Sequence, residues 1–225
     1  ARLAPVLGPK TKFVLINSPS NPTGMAYSAA ELRALGELIA ARAPQAWVLS
    51  DDIYRKLNYS QVEVPSAFQA MAGIPGIEDQ IIPIDGVSKS HAMTGWRIGY
   101  TAAPIEIADG INAMQGQMTS GASTPAQWAA LIGLTDPRVP AELAIMLERF
   151  AERRQAMCEG LRASGLEFVE PDGAFYVFPE VTPLVGEGQR FADDLALAKW
   201  LLDEHGVATV PGSAFGAPGH LRLSF

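Results

Sequence analysis

Residues 12–54 read KFVLINSPSNPTGMAYSAAELRALGELIAARAPQAWVLSDDIY, and this stretch decides the fold. KFVLIN is a short apolar run that stops at a Pro/Asn/Gly cluster, as a buried strand does when it enters a loop. Ser28 followed three residues later by Glu31 is a capping box, in which each side chain satisfies a free backbone N–H of the other. Leu32, Leu35 and Ile39 follow at helical spacing, so a helix is expected over residues 28–42. WVLS, residues 47–50, is a second apolar run, ending at Asp51 and Asp52. Strand, helix, strand with apolar strand runs is the pattern of an α/β sheet with helices on its faces.

Working outward, IIPI at residues 81–84 is a third strand, with Pro83 pointing to an edge position. RIGYTA, residues 97–102, reads as a fourth. Helices are expected over 104–118 and 125–134. Residues 140–163 carry no Pro or Gly between Pro140 and Gly160 and are rich in Glu, Arg, Ala and Leu, which suggests one long helix. After it come strands at 175–178, 207–210 and 221–225, and a helix over 191–205 stopped by Gly206. In open α/β sheets ligands gather beyond the carboxyl ends of the strands. The polar clusters SPSNPTG, SDDIY and DGVSKS lie there, and chemistry is expected in them.

The 225 residues are 48% hydrophobic and 18% charged, a globular composition long enough for one large domain, or for one core plus a smaller domain. The formal net charge of -7 leaves no basic stripe for nucleic acid. A single cysteine, Cys158, excludes an internal disulfide, fits a reducing compartment, and reads as an inert half-buried thiol. No stretch reaches the apolar length of a membrane span. His91, His205 and His220 are scattered without metal-ligand spacing, so no metal is expected. Trp96 and Tyr100 are expected to pack in the core.

Four clusters hold residues able to act together. They are Asn21 in SPSNPTG, Asp51 and Tyr54 in SDDIY, Lys89 and Arg97 in SKSHAMTGWRIGY, and Arg222 in HLRLSF. Alone, each reads as structure: a turn, a solvated pair of acids, an exposed lysine between serines. Together and in this order they resemble the class I/II aminotransferases, the fold-type I enzymes dependent on pyridoxal phosphate (PLP) and related to aspartate aminotransferase. The resemblance runs from about Leu3 to Phe225, and SKSHAMTGWRIGY carries most of it.

That resemblance implies an α/β fold: part of the mixed sheet of a large PLP-binding domain with flanking helices, residues 1–138, then a linking helix and a smaller C-terminal α/β domain, residues 139–225. It implies transfer of an amino group from an L-amino acid to a 2-oxo acid through a Schiff base on Lys89. Asp51 would face the cofactor ring nitrogen, Asn21 and Tyr54 its phenolic oxygen, Arg97 and Ser88 its phosphate. Arg222, with Asn21, would hold the substrate α-carboxylate, and Asp52 would be structural. Gly86 sits where some relatives place a serine. A biosynthetic, cytoplasmic homodimer is implied, with residues 117–124 approaching the partner. Relatives are longer, so the chain reads as cut at both ends. It is expected to expose one side of its sheet and half of a cofactor site, and to be inactive alone. A PLP-dependent C–S lyase of the same fold and an aminotransferase-like domain of a transcription regulator are the competing readings. The sequence does not select the amino acid.

Overall fold

A computed structural model describes residues 3–60 and 64–225, which fall into two compact units. The first comprises residues 3–18, 27–57 and 64–143; the second comprises 19–26, 58–60 and 144–225.

In the first unit, β1 (Phe13–Asn17) leads to α1 (Ala29–Arg42), whose N-cap Ser28 and Glu31 form the expected capping box. β2 (Trp47–Asp51), the short α2 (Ala67–Ala70), β3 (Ile81–Gly86), the single turn α3 (Val87–Ser90) and β4 (Gly99–Thr101) follow. α4 (Ile105–Thr119) and α5 (Thr124–Thr135) come next. The sheet order is β1-β2-β3-β4, with the first three strands parallel and β4 antiparallel to β3. This is a mixed sheet.

Side chains alternate across the sheet, because successive residues of a strand point to opposite faces. Ile16 and Val48 are buried against Leu32, Ile39 and Met71, so α1 and α2 cover that face. The opposite face holds Phe13, Leu15, Trp47, Leu49, Ile82 and Ile84. Phe13 and Leu15 are 60% and 66% exposed there. A groove of about 540 Å³ runs along it, bordered by Ile107 and Ile111 of α4. Asp51 follows Leu49 on this open side, at its carboxyl end.

Two expectations are corrected here. Pro83 does not mark an edge: β3 pairs with β2 on one side and β4 on the other. A residue's N–H and C=O point to the same side of a strand. The Pro83 carbonyl accepts from Ala102 N–H at 3.3 Å and from the Thr101 hydroxyl at 2.7 Å, so its missing donor also faces β4. β4 ends at Thr101, and the loss falls just past the pairing. Trp96 and Tyr100 do not pack in a core. They are 48% and 43% exposed, and the Tyr100 hydroxyl donates to Asp85 at 3.4 Å.

The second unit takes in nearly all of α6 (Val139–Ala163), then β5 (Tyr176–Val177), α7 (Asp194–His205), β6 (Val210–Pro211) and β7 (Leu221–Ser224). β7 lies between the other two strands and is antiparallel to both. α7 packs Leu197 and Ala198 against Val181 and Leu221. It starts three residues later than the 191–205 pattern suggests, because Asp193 caps it by accepting from Ala196 N–H at 2.7 Å. Gly206 ends it at φ 65°, a left-handed value that favours glycine. The strand expected at 207–210 begins only at Val210. Cys158 is fully rather than half buried, and burial pushes its thiol up, away from the reactive thiolate.

Candidate functional site

Five of the seven residues expected to form the site lie in the first unit, at the carboxyl edge of the parallel strands. Asp51 ends β2, with Asn17 of β1 and Ile84 of β3 as its register partners. The Asn17 side-chain amide donates to the Asp51 carbonyl at 3.2 Å, and Ile53 N–H donates to the Asp51 carboxylate at 3.3 Å. Burial pushes the Asp51 carboxyl above the usual range; the Ile53 N–H pulls it down and the nearby Asp85 charge pushes it up. Tyr54 is buried in the turn that follows, where Arg55 N–H donates to Asp52 and Leu57 N–H to Tyr54.

Asp52 points elsewhere. It is buried and accepts from the Ser50 hydroxyl at 2.8 Å, while Ser50 Oγ accepts from Ala67 N–H at 3.2 Å. That chain of contacts joins the end of β2 to the start of α2.

Lys89 and Ser88, both half-buried, sit in the turn α3 that leaves β3 at the same edge. The turn is pinned at both ends. Gly86 N–H donates to the Asp85 carboxylate at 2.7 Å, and the Ser90 hydroxyl donates back to the Gly86 carbonyl at 3.1 Å. Ser90 Oγ also lies 2.8 Å from His91 Nδ1, and burial with the Lys56 charge lowers that imidazole's affinity for a proton. Ser90 escaped the sequence reading, although a serine four residues after a helix-opening glycine is a known back-bonding arrangement.

A Cβ on Gly86 would lie 2.8 Å from the Ile98 carbonyl oxygen and 3.1 Å from Gly99 Cα. Backbone atoms cannot swing aside, so a serine side chain has no room here. Gly86→Ser is expected to destabilise the fold by about 1–3 kcal/mol by forcing β3 and β4 apart. An unchanged melting temperature would refute this.

Arg97 follows the short turn Thr94–Trp96 in a left-handed conformation (φ 56°), exposed, with Nη1 donating to the Thr94 carbonyl at 3.1 Å.

Asn21 and Arg222 belong to the second unit. The loop holding Asn21 is tied to Asp172 and Gly173: Ala26 N–H donates to the Asp172 carboxylate at 3.0 Å and Gly173 N–H to the Gly24 carbonyl at 2.9 Å. Arg222, on β7, donates from Nη1 to Asn21 Oδ1 at 2.9 Å across 201 residues of sequence. Its Nε is buried without a hydrogen-bond partner among the described residues.

The strand ends and turns at the first unit's carboxyl edge carry an amine, a hydroxyl, a half-buried carboxylate, a phenol and a guanidinium. This donor set suits an aldehyde-bearing, phosphorylated, nitrogen-containing ring: amine for aldehyde, carboxylate for a cationic ring nitrogen, guanidinium and hydroxyl for phosphate. Among the described residues no group of three or more His, Cys, Asp or Glu could hold a metal, and no helix is long and apolar enough to cross a membrane.

The chain is similar to known proteins along its whole length. Residues 2–225 match the family model described as "Aminotransferase class I and II". The chain is 41% identical over 229 residues to an aspartate/prephenate aminotransferase of Cereibacter sphaeroides, covering 100% of this chain and 56% of that protein. It is 42% identical over 226 residues to an aspartate aminotransferase of Geobacillus stearothermophilus, covering 100% and 55%. Among solved structures, the aspartate aminotransferase of Rhizobium meliloti matches with a TM-score of 0.89 at 38% identity, covering 100% of this chain and 56% of that one. That of Thermotoga maritima matches with a TM-score of 0.85 at 40% identity, covering 100% and 54%. The chain thus spans little more than half the length of these relatives.

Proposed function

Because the chain belongs to the class I and II aminotransferases and has their type I fold, we propose that it supplies the lysine, aspartate and arginines of a PLP-dependent enzyme. That enzyme moves an amino group from an L-amino acid to a 2-oxo acid. The observation that carries this reading is the shared edge: Asp51 and the turn holding Lys89 leave adjacent parallel strands at their carboxyl ends. The relatives' names make L-aspartate the first donor to test.

When bound, PLP supplies an aldehyde that captures the amino group and a ring that withdraws electrons from the substrate Cα. Lys89 Nζ would hold it covalently, and its amine would take the proton from the substrate Cα. The Asp51 carboxylate favours a protonated ring nitrogen. Tyr54 and Asn21 donate to the phenolic oxygen, and Arg97 and Ser88 hold the phosphate. Arg222, with Asn21, grips the substrate α-carboxylate, so that Cα is presented to the lysine.

The same reading divides the chain at the start of α6, into the end of a large domain (1–138) and a linking helix with a small domain (139–225). A homodimer in the cytoplasm completes the proposal. Exposed Ile105, Met114, Met118, Trp128 and Leu131 on α4 and α5 offer an apolar surface for the dimer. The single free cysteine needs no oxidising compartment.

The deciding experiment gives full-length enzyme L-aspartate and 2-oxoglutarate. Glutamate and oxaloacetate are expected. Pyruvate and ammonia from cystathionine, with no glutamate formed, would replace this reading with the C–S lyase.

Arg97→Ala is expected to weaken cofactor retention about 10- to 100-fold, since charge-assisted hydrogen bonds contribute about 1.5–3 kcal/mol. Fluorescence titration of the cofactor-free variant with PLP measures it. Unchanged affinity would remove Arg97 from the phosphate site.

A further inference from the structure

Arg222 is held on more than its Asn21 bond. Its guanidinium carbon lies 4.5 Å from the centroid of the Tyr176 ring and 5.2 Å from that of Phe215. Tyr176 is buried on β5, and its register partner Ser224 is two residues beyond Arg222 on β7. Phe215 ends the short turn Gly212–Phe215 between β6 and β7.

That turn is anchored by a carboxylate that the proposed chemistry does not use. Asp194, the first residue of α7, is only 2% exposed, and its Oδ2 accepts from Ser213 N–H at 2.7 Å. A buried charged residue is rare unless a partner is fixed by it. Here the partner is the backbone that delivers Phe215.

The buried Nε cannot meet an anion without repacking, so the donors left for a carboxylate are on the Nη end. A guanidinium binds a carboxylate in two parallel hydrogen bonds only when the two planes coincide. A guanidinium carbon lying over two aromatic rings is restrained by both before the anion arrives, which removes an ordering cost from binding.

We propose that Tyr176 and Phe215 form an aromatic clamp that presets the plane of Arg222 for the substrate α-carboxylate, with Asp194 anchoring the Phe215 side. All three are positioning residues. The inference rests on the reading of Arg222 given above, and its test separates the two.

Full-length holoenzyme carrying Phe215→Leu, Phe215→Tyr or Arg222→Lys is titrated calorimetrically with succinate, an unreactive dicarboxylate, and assayed for KM and kcat. Phe215→Leu is expected to weaken succinate and raise KM on the order of tenfold, with a smaller change in kcat and the bound-cofactor absorption intact. Phe215→Tyr, which keeps the ring, should stay within about twofold of the parent. If Arg222→Lys weakens succinate but Phe215→Leu does not, the clamp is wrong and the Arg222 reading stands. If neither weakens it, the Arg222 reading fails and takes the clamp with it. Equal losses in Phe215→Leu and Phe215→Tyr, with lowered melting temperatures, would make Phe215 a packing residue and overturn the proposal.

Discussion

Replacing Lys89 by alanine in the full-length enzyme is expected to abolish covalent retention of PLP and to lower transamination by at least about 10³-fold. The two losses have one cause. The amine is both the attachment point and the group that moves the Cα proton, and positioned acid–base catalysis alone contributes about 10²- to 10⁴-fold. The other four lysines of the chain are exposed. Lys10 and Lys12 are exposed and precede β1, at the end of the sheet opposite Asp51. Lys56 is exposed, and Lys199 pairs with Asp203 on the surface of α7. Among the chain's lysines Lys89 alone is half-buried. Borohydride reduction of the parent enzyme followed by peptide mapping reads the attachment directly. A reduced adduct on any other lysine would refute the assignment, as would a Lys89→Ala enzyme that still holds PLP covalently.

What the sequence made legible follows the range of the interactions involved. The capping box at Ser28 and Glu31, the apolar strand runs and the stop at Gly206 are local, and each formed where its residues stand. Pro83 was misleading because the rule against proline in a central strand concerns a donor, and whether losing that donor breaks a pairing depends on where β4 ends. Trp96 and Tyr100 were misleading because aromatic residues near apolar strands usually find a core, whereas here they flank an open edge. The loop SPSNPTG follows β1 in sequence, yet Gly24 and Ala26 bond to Asp172 and Gly173. No local pattern announces a pairing at such separation. The same holds for Asn21 and Arg222: family resemblance marked both, but only the fold shows that one accepts a hydrogen bond from the other. Ser90 and Asp194 act through backbone groups that a sequence does not display.

Asp51→Asn is expected to cost transamination about 10²- to 10³-fold while making the cofactor-free protein more stable at neutral pH. Burial pushes the Asp51 carboxyl above the usual range, opposed by the Ile53 N–H and reinforced by Asp85. An acid raised in this way binds its proton more tightly in the folded state. Its favourable contribution is therefore complete below the ordinary carboxylate range and is lost as pH rises through the folded value. At neutral pH the ionised side chain is a cost to the cofactor-free fold, and an amide of the same shape avoids it. The melting-temperature gain of Asp51→Asn should then shrink as pH falls into the carboxylate range. A cationic ring nitrogen beside Asp51 reverses the balance, because an opposite charge favours the carboxylate. The amide cannot return that favour, so the catalytic loss follows even though the cofactor stays attached to Lys89. Asp52→Ala is the control. It strands the buried Ser50 hydroxyl, which is expected to cost about 1–3 kcal/mol of stability, and it leaves the charge at Asp51 in place. Melting curves across pH and single-turnover rates on both variants distinguish the roles. Near-normal turnover in Asp51→Asn, with collapse in Asp52→Ala, would assign the ring-facing role to the other carboxylate of the pair.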